Sequence, residues 1–135
     1  MSDGDTKNVA KKILIIDDDS FLLDMYALRF TQAGFDVSTA MSADETLTKL
    51  HGEYTPDILL LDVVMPTVDG FELLEKINTE GLIPKTVKIY LSNLGQEQDI
   101  ARGTSLGASG YIVKANSTPS EVVAKVLEII QPNGI

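Results

Sequence analysis

An uninterrupted apolar run at Ile58–Leu61 limits the possible folds of this chain more than any other segment. Four consecutive apolar residues between turn signals are typical of a strand that is buried on both faces of a sheet. Asp62 follows the run directly, and Pro66 closes the segment. In an open parallel sheet, ligands bind just beyond the carboxyl ends of the strands, which is where Asp62 would lie. The alternative is an aspartate that merely turns the chain.

Short apolar runs alternate with helical patterns five times along the chain. Such an alternation predicts a parallel sheet that is covered by helices on both faces and joined by right-handed crossovers. The predicted strands comprise residues 13–16, 35–40, 58–61, 87–91 and 110–113.

Capping residues predict where the helices begin. Thr118-Pro119-Ser120-Glu121 combines a cap, a first-turn proline and a capping-box partner, and is the clearest start. Ser20, Ser42 and Asp69 are expected to cap the first three helices. The helix over residues 96–106 is expected to be weak, because it has few apolar positions and contains a glycine.

Length and composition exclude several classes of protein. The 135 residues fit one domain, which we place at residues 12–131 between polar tails at 1–11 and 132–135. The net charge of −9 argues against direct binding to nucleic acid or to anionic membranes. The absence of cysteine excludes disulfides, thiolate metal sites and cysteine nucleophiles. A polar N-terminus and the lack of a long apolar run lead us to expect a cytoplasmic protein.

Polar residues at the strand ends form a chemically coherent set: Asp17 and Asp18 after the first strand, Asp62 after the third, Ser92 after the fourth and Lys114 after the fifth. Converging carboxylates repel one another, and a hard cation such as Mg²⁺, with Mn²⁺ as an alternative, would relieve that repulsion. A carboxylate is a competent nucleophile toward phosphorus. The ammonium and the hydroxyl can both bind phosphoryl oxygens.

The segments ILIIDDD, LLLDVVMPTVDG, IYLS and GYIVK resemble, in order and in spacing, the motifs of two-component response-regulator receiver domains, the chemotaxis-regulator-like family. The resemblance covers residues 12–131. It implies a flavodoxin-like α/β fold with three layers, a doubly wound (βα)5 arrangement and a five-stranded parallel sheet in the order 2-1-3-4-5.

The resemblance also implies a function and partners. A histidine kinase or a phosphotransfer protein would donate a phosphoryl group, and the face made by helix four, strand five and helix five would then change to control a downstream protein target. A phosphorylation-linked homodimer is compatible with the resemblance. The domain would not be an enzyme beyond catalysing its own phosphorylation and dephosphorylation.

By the same resemblance, Asp62 is the phosphoacceptor. Asp17 and Asp18 would bind Mg²⁺ together with Asp62 and the backbone carbonyl of Val64. Lys114 would pair with the phosphoryl group.

Ser92 would be the switch hydroxyl and Tyr111 the switch aromatic, although Tyr111 also fits an ordinary half-buried strand residue. Asp19 fits the acidic residue that often follows the aspartate pair, or alternatively a solvated charge that opens the first helix. Two positions depart from the family pattern: Ala115 replaces the usual proline after the lysine, and Asn93 replaces a small residue after the switch hydroxyl.

Three other functions compete with this interpretation. A receiver-like interaction module that no longer takes phosphate would keep the fold without the chemistry. A phosphohydrolase of the haloacid dehalogenase type would need D-x-D-x-T/V at strand one, where Phe21 occupies the last position. A flavodoxin-type protein would need a hydroxyl- and glycine-rich phosphate loop, whereas three aspartates there would repel a phosphate.

Overall fold

The computed structural model describes residues 10–131 of the chain. The tails predicted at 1–11 and 132–135 therefore lie almost entirely outside the described residues. Within residues 10–131, no helix is both long enough and apolar enough to cross a membrane.

The sheet has five strands in the order β2-β1-β3-β4-β5, and every neighbouring pair is parallel. This confirms the predicted strand number, direction and order. The strands are β1 (Lys12–Ile16), β2 (Asp36–Ala40), β3 (Ile58–Leu61), β4 (Val87–Ser92) and β5 (Gly110–Val113).

Helices cover both faces of the sheet, as a doubly wound fold requires. On one face α2, α3 and α4 lie over a core that includes Leu59, Leu61 and Tyr90, and on the other α1 and α5 lie over a core that includes Ile58 and Leu60. The helices are α1 (Ser20–Gln32), α2 (Ala43–His51), α3 (Gly70–Thr79), α4 (Glu97–Ser105) and α5 (Pro119–Ile130), and a short 3₁₀ turn occupies Lys114–Asn116.

Strand β3 is covered by helices on both faces, which explains why its sequence is continuously apolar. All four residues of β3 are no more than 1% exposed, and alternate side chains enter the two cores. Side chains on a strand alternate between faces, so a strand with helices on both sides needs an apolar residue at every position. The predicted two-sided burial of Ile58–Leu61 is therefore confirmed.

Helix starts follow the predicted capping residues, with one correction. Asp19, and not Ser20, caps α1: its Oδ1 accepts hydrogen bonds from the backbone N–H groups of Phe21 at 3.0 Å and Leu22 at 3.1 Å. A carboxylate at this position satisfies free N–H groups and also interacts favourably with the helix dipole. Asp69 and Thr118 cap α3 and α5, as predicted, and each forms a complete capping box, which the sequence had indicated only for Thr118.

Candidate functional site

The carboxyl ends of β1 and β3 bring the aspartates together. Asp17 and Asp62 continue the backbone ladder of the sheet, since the N–H of Asp17 donates to the Ala40 carbonyl at 3.1 Å and that of Asp62 to the Ile16 carbonyl at 3.0 Å. Both side chains are buried, whereas Asp18 is exposed. One carboxylate oxygen from each of the three aspartates lies within 4.8 Å of the other two. The sheet itself thus fixes the acidic cluster that the sequence predicted.

Lys114 follows β5 and reaches into this cluster. Its Nζ donates to Oδ2 of Asp17 at 2.6 Å and to Oδ2 of Asp62 at 3.1 Å. The side chains of all three residues are at most 9% exposed. One ammonium therefore partly neutralises two buried carboxylates, which removes much of the repulsion between them.

Burial and charge act in opposite directions on these groups. Burial raises the pKa of Asp62, and the nearby charge of Lys114 opposes that rise. Burial lowers the pKa of Lys114, but its hydrogen bond to Asp17 and the charges of Asp62 and Asp17 outweigh burial, so the pKa is raised overall. The ammonium is consequently charged across the physiological pH range and can hold an anionic group beside Asp62.

Ser92 ends β4 and is completely buried. Its Oγ accepts a hydrogen bond from the N–H of Leu94 at 3.3 Å, which leaves the hydroxyl proton free to donate elsewhere. Ser92 lies next to Val113 across the β4–β5 pair, one residue before Lys114. The structure therefore places the hydroxyl and the ammonium at the same edge of the sheet.

Tyr111 lies behind this edge, on β5. Its ring contacts that of Tyr90 on β4, with centroids 5.7 Å apart. Its hydroxyl is buried and makes no hydrogen bond to any residue between 10 and 131. Burial raises the pKa of Tyr111; the Ser92 side chain is near enough to offset part of this rise, although the pair does not meet hydrogen-bond geometry. A buried hydroxyl without a hydrogen-bond partner costs free energy, so a conformation that gives the Tyr111 hydroxyl a partner would be favoured.

These side chains surround one open cavity of about 350 Å³, which has room for a phosphoryl group and a hydrated cation. All predicted site residues except Tyr111 line it, and so does Asn93, one of the two departures from the family pattern. The cavity is lined by Asp17, Asp18, Asp19, Leu22, Asp62, Val64, Ser92, Asn93 and Lys114.

The donor set fits a magnesium ion. Mg²⁺ prefers oxygen ligands, keeps several waters and is typically held by one or two protein carboxylates. The three aspartates supply such oxygens at a mouth that is open to solvent. Val64 lines the same cavity, and its N–H donates to Oδ1 of Asp62 at 3.3 Å. Participation of the Val64 carbonyl in metal binding stays a prediction.

Gly70 is a site residue that the sequence reasoning missed. A Cβ at this position would lie 2.1 Å from the backbone oxygen of Asp62, and the Gly70 N–H donates to the Val63 carbonyl at 2.7 Å. The start of α3 is therefore pressed directly against the backbone that carries Asp62, and only glycine fits there. A glycine directly after the Asp69 cap is the sequence feature that could have indicated this contact. Its position in the sequence, however, does not show that the helix start lies against the backbone of Asp62.

Comparison with known proteins agrees with this geometry. The family model described as the response regulator receiver domain matches residues 13–127. The chain belongs to the response regulator receiver domain family. Receiver domains of this family are components of two-component systems. The match to the family model confirms the predicted family, and the likeness to solved receiver structures confirms the predicted fold.

Individual relatives show how far the likeness extends. The receiver domain is 34% identical to the alkaline phosphatase synthesis transcriptional regulatory protein PhoP of Bacillus subtilis, over 93% of this chain and 50% of that protein. It spans about half the length of the curated relatives that it matches.

Solved structures agree with the fold. The chemotaxis protein CheY4 of Vibrio cholerae superposes with a TM-score of 0.82 at 25% identity, covering 90% of this chain and 99% of that one. A CheY-like receiver domain protein of Methanospirillum hungatei gives a TM-score of 0.79 at 31% identity, covering 89% and 93%.

The departure at Ala115 does not displace the lysine. The bond between Lys114 and Ala115 is trans, and Lys114 nevertheless contacts both buried aspartates. The functional roles of Asp62, of the aspartates predicted to bind metal and of the switch residues stay predictions.

Proposed function

We propose that this receiver domain is a signalling switch in which Asp62 accepts a phosphoryl group from a histidine kinase or a phosphotransfer protein. The observation that carries the proposal is the position of the Lys114 ammonium, within hydrogen-bond distance of Asp62 and of Asp17. A cation held between a nucleophilic carboxylate and a second acidic group is suited to bind the oxygens of a phosphoryl group on Asp62.

In the proposed reaction, an Asp62 carboxylate oxygen attacks phosphorus while the bond from phosphorus to the donor histidine nitrogen breaks, and the electron pair leaves with the imidazole. The Lys114 ammonium binds one phosphoryl oxygen, and the Ser92 hydroxyl donates a hydrogen bond to another. Asp17, Asp18 and Asp62, with the carbonyl of Val64, would hold Mg²⁺. The ion would supply positive charge that offsets the phosphoryl oxygens.

The output would come from the face formed by α4, β5 and α5. Movement of Ser92 toward a phosphoryl group would change the space beside Tyr111, whose hydroxyl has no hydrogen-bond partner in the described part of the chain. The state of this face would then decide whether a downstream protein binds. In this proposal the domain acts in the cytoplasm and catalyses only its own phosphorylation and dephosphorylation.

The test of the proposal is intact-mass measurement after incubation with acetyl phosphate and Mg²⁺. The parent protein should gain one phosphoryl group, and Asp62→Asn should gain none, because the amide is not a nucleophile toward phosphorus. Asp24→Asn, which removes an exposed carboxylate from α1, is the matched control and should be labelled like the parent.

Two outcomes would contradict the proposal. Labelling of Asp62→Asn at the parent level would place the phosphoryl group elsewhere. A parent protein that gains no mass with Mg²⁺ would favour the phosphate-independent interaction module.

A further inference from the structure

We propose that Lys125 of α5 is a positioning residue for Lys114, and that it acts through the hydroxyl of Ser117. The inference deepens the proposed function and rests on it, since it concerns how the phosphoryl-binding ammonium is held in place.

Lys114 needs support from outside the sheet. The β4–β5 pairing ends at Val113, so the backbone of Lys114 already belongs to the 3₁₀ turn Lys114–Asn116. A single 3₁₀ turn has poor hydrogen-bond geometry and is weak on its own. Asp17 and Asp62, by contrast, are fixed by the ladder of β1 and β3. The ammonium is thus held by a less rigid part of the backbone than the carboxylates it must meet.

Two hydrogen bonds connect this turn to α5. The N–H of Ser117 donates to the carbonyl of Lys114 at 3.1 Å and closes the turn. The Nζ of Lys125 donates to Oγ of the same serine at 2.6 Å, in a partly buried position. A short hydrogen bond from a charged donor is stronger than a neutral one. Ser117 therefore contacts both the backbone of the catalytic lysine and the side chain of a second lysine.

α5 is a rigid base for this contact. Thr118 follows Ser117 directly and caps the helix through a complete capping box. Val122 and Val126 are fully buried beneath the helix, on either side of Lys125 in sequence. A functional group is placed precisely when the residues supporting it are themselves locked by packing. The helix can consequently transmit its fixed position to the turn through the Lys125–Ser117 bond.

The experiment measures two affinities separately by calorimetry: that of Mg²⁺ alone, and that of beryllofluoride, a phosphoryl mimic, at saturating Mg²⁺. Lys125→Met should weaken beryllofluoride binding about three- to tenfold, the range expected when one charge-assisted hydrogen bond is lost. Mg²⁺ binding should not weaken, because the three aspartates are positioned independently of α5. A merely structural role would lower both affinities together with the melting temperature.

Ser117 supplies an independent set of variants. Ser117→Ala should reproduce the loss in beryllofluoride affinity, and adding it to Lys125→Met should cause little further loss, since both remove one interaction. Ser117→Thr keeps the hydroxyl on extended backbone that suits a β-branched residue, and should restore most of the affinity. Lys76→Met removes the same charge from an exposed position of α3 and should leave both affinities at the parent values.

Equal beryllofluoride affinity in the parent, Lys125→Met and Ser117→Ala would overturn the inference while leaving the proposed function intact. A parallel loss of Mg²⁺ affinity, or additive effects in the double variant, would also overturn it. If the parent itself fails to bind beryllofluoride, the proposed function fails first.

Discussion

Lys88 shows what a single buried charge costs this domain. It lies in β4, is 7% exposed, and its Nζ donates to the carbonyl of Ile83 at 3.0 Å. Burial lowers its pKa from the usual 10.5. A buried ammonium that has only a carbonyl as partner is less favourable than a hydrated one. Lys88 therefore lowers the stability of the folded state at neutral pH.

We predict that Lys88→Met raises the free energy of unfolding by about 1 kcal/mol at pH 7. Between the lowered pKa of the folded state and 10.5, the unfolded chain binds more protons, so the stability of the parent rises with pH. The advantage of the variant should accordingly shrink from pH 7 to pH 10 in urea unfolding. Lys85→Met, at an exposed position, is the control. An advantage that grows with pH would contradict the argument.

Asp18 is exposed to solvent, whereas Asp17 and Asp62 accept hydrogen bonds from Lys114. We predict that Asp18→Ala loses the stabilisation by Mg²⁺, which for the parent is about 1.4 kcal/mol at ten times the dissociation constant. In the absence of metal the variant should be at least as stable as the parent, because it removes one repelling charge. Thermal unfolding with Mg²⁺ and with a chelator tests both statements. An unchanged Mg²⁺-dependent shift would refute the metal assignment.

The residues of the site were predictable because each one follows a recognisable strand. Asp17, Asp62, Ser92 and Lys114 all come directly after, or at the end of, an apolar run, and parallel strands carry such residues to one edge. The contact of Gly70 with Asp62 was not predictable, since it depends on how closely α3 approaches the sheet. Similarly, the sequence predicted Ser20 as the cap of α1, and only the backbone geometry shows that Asp19, one residue earlier, has that role.

At the scale of elements, α4 packs against the sheet at Gly103, the glycine from which the sequence predicted only a weak helix. Gly103 is buried within α4, and a Cβ there would lie 2.9 Å from the ring of Tyr90. That ring is completely buried and meets Phe71 edge-on, with centroids 5.1 Å apart, so it has little freedom to move. Propensity explains why the glycine weakens the helix, whereas the close approach to Tyr90 explains why it is needed.

We predict that Gly103→Ala destabilises the domain by about 1–3 kcal/mol through overpacking, even though alanine is the better helix former. Gly52→Ala is the matched control: Gly52 has a negative φ and a Cβ there meets nothing closer than 3.4 Å, so the change should be small. Urea unfolding of both variants provides the measurement. A more stable Gly103→Ala would show that the α4–Tyr90 contact is loose.

At the scale of the whole molecule, the two ends of the proposed switch lie on adjacent strands. Ser92 lines the cavity. The ring of Tyr111 contacts the ring of Tyr90 and lies beside Gly103 of α4. A change at Ser92 therefore has a short path to α4 and β5. Helix α1 covers the opposite face of the sheet, and α2 and α3 bury more apolar residues than α4 does.

We predict that beryllofluoride with Mg²⁺ changes backbone hydrogen exchange mainly in α4 and β5. Segments with few buried apolar residues exchange by local opening at low cost, and α4 buries only Gly103. Hydrogen exchange with mass spectrometry, with Asp62→Asn as the control that should not respond, measures the effect. Changes confined to α1, α2 and α3 would refute the proposed output face.

The ion pairs of Lys114 also have a consequence for synthesis of the chain. Asp17 lies 97 residues before Lys114 and Asp62 lies 52 residues before it. Strands β2, β1 and β3 are contiguous in the sheet, so the pairing that brings the two aspartates together needs only the first half of the chain. A nascent chain emerges from its N-terminus and would therefore face its two buried negative charges before their internal counter-ion has been made. Cations from solution would have to offset these two charges until Lys114 has been synthesised.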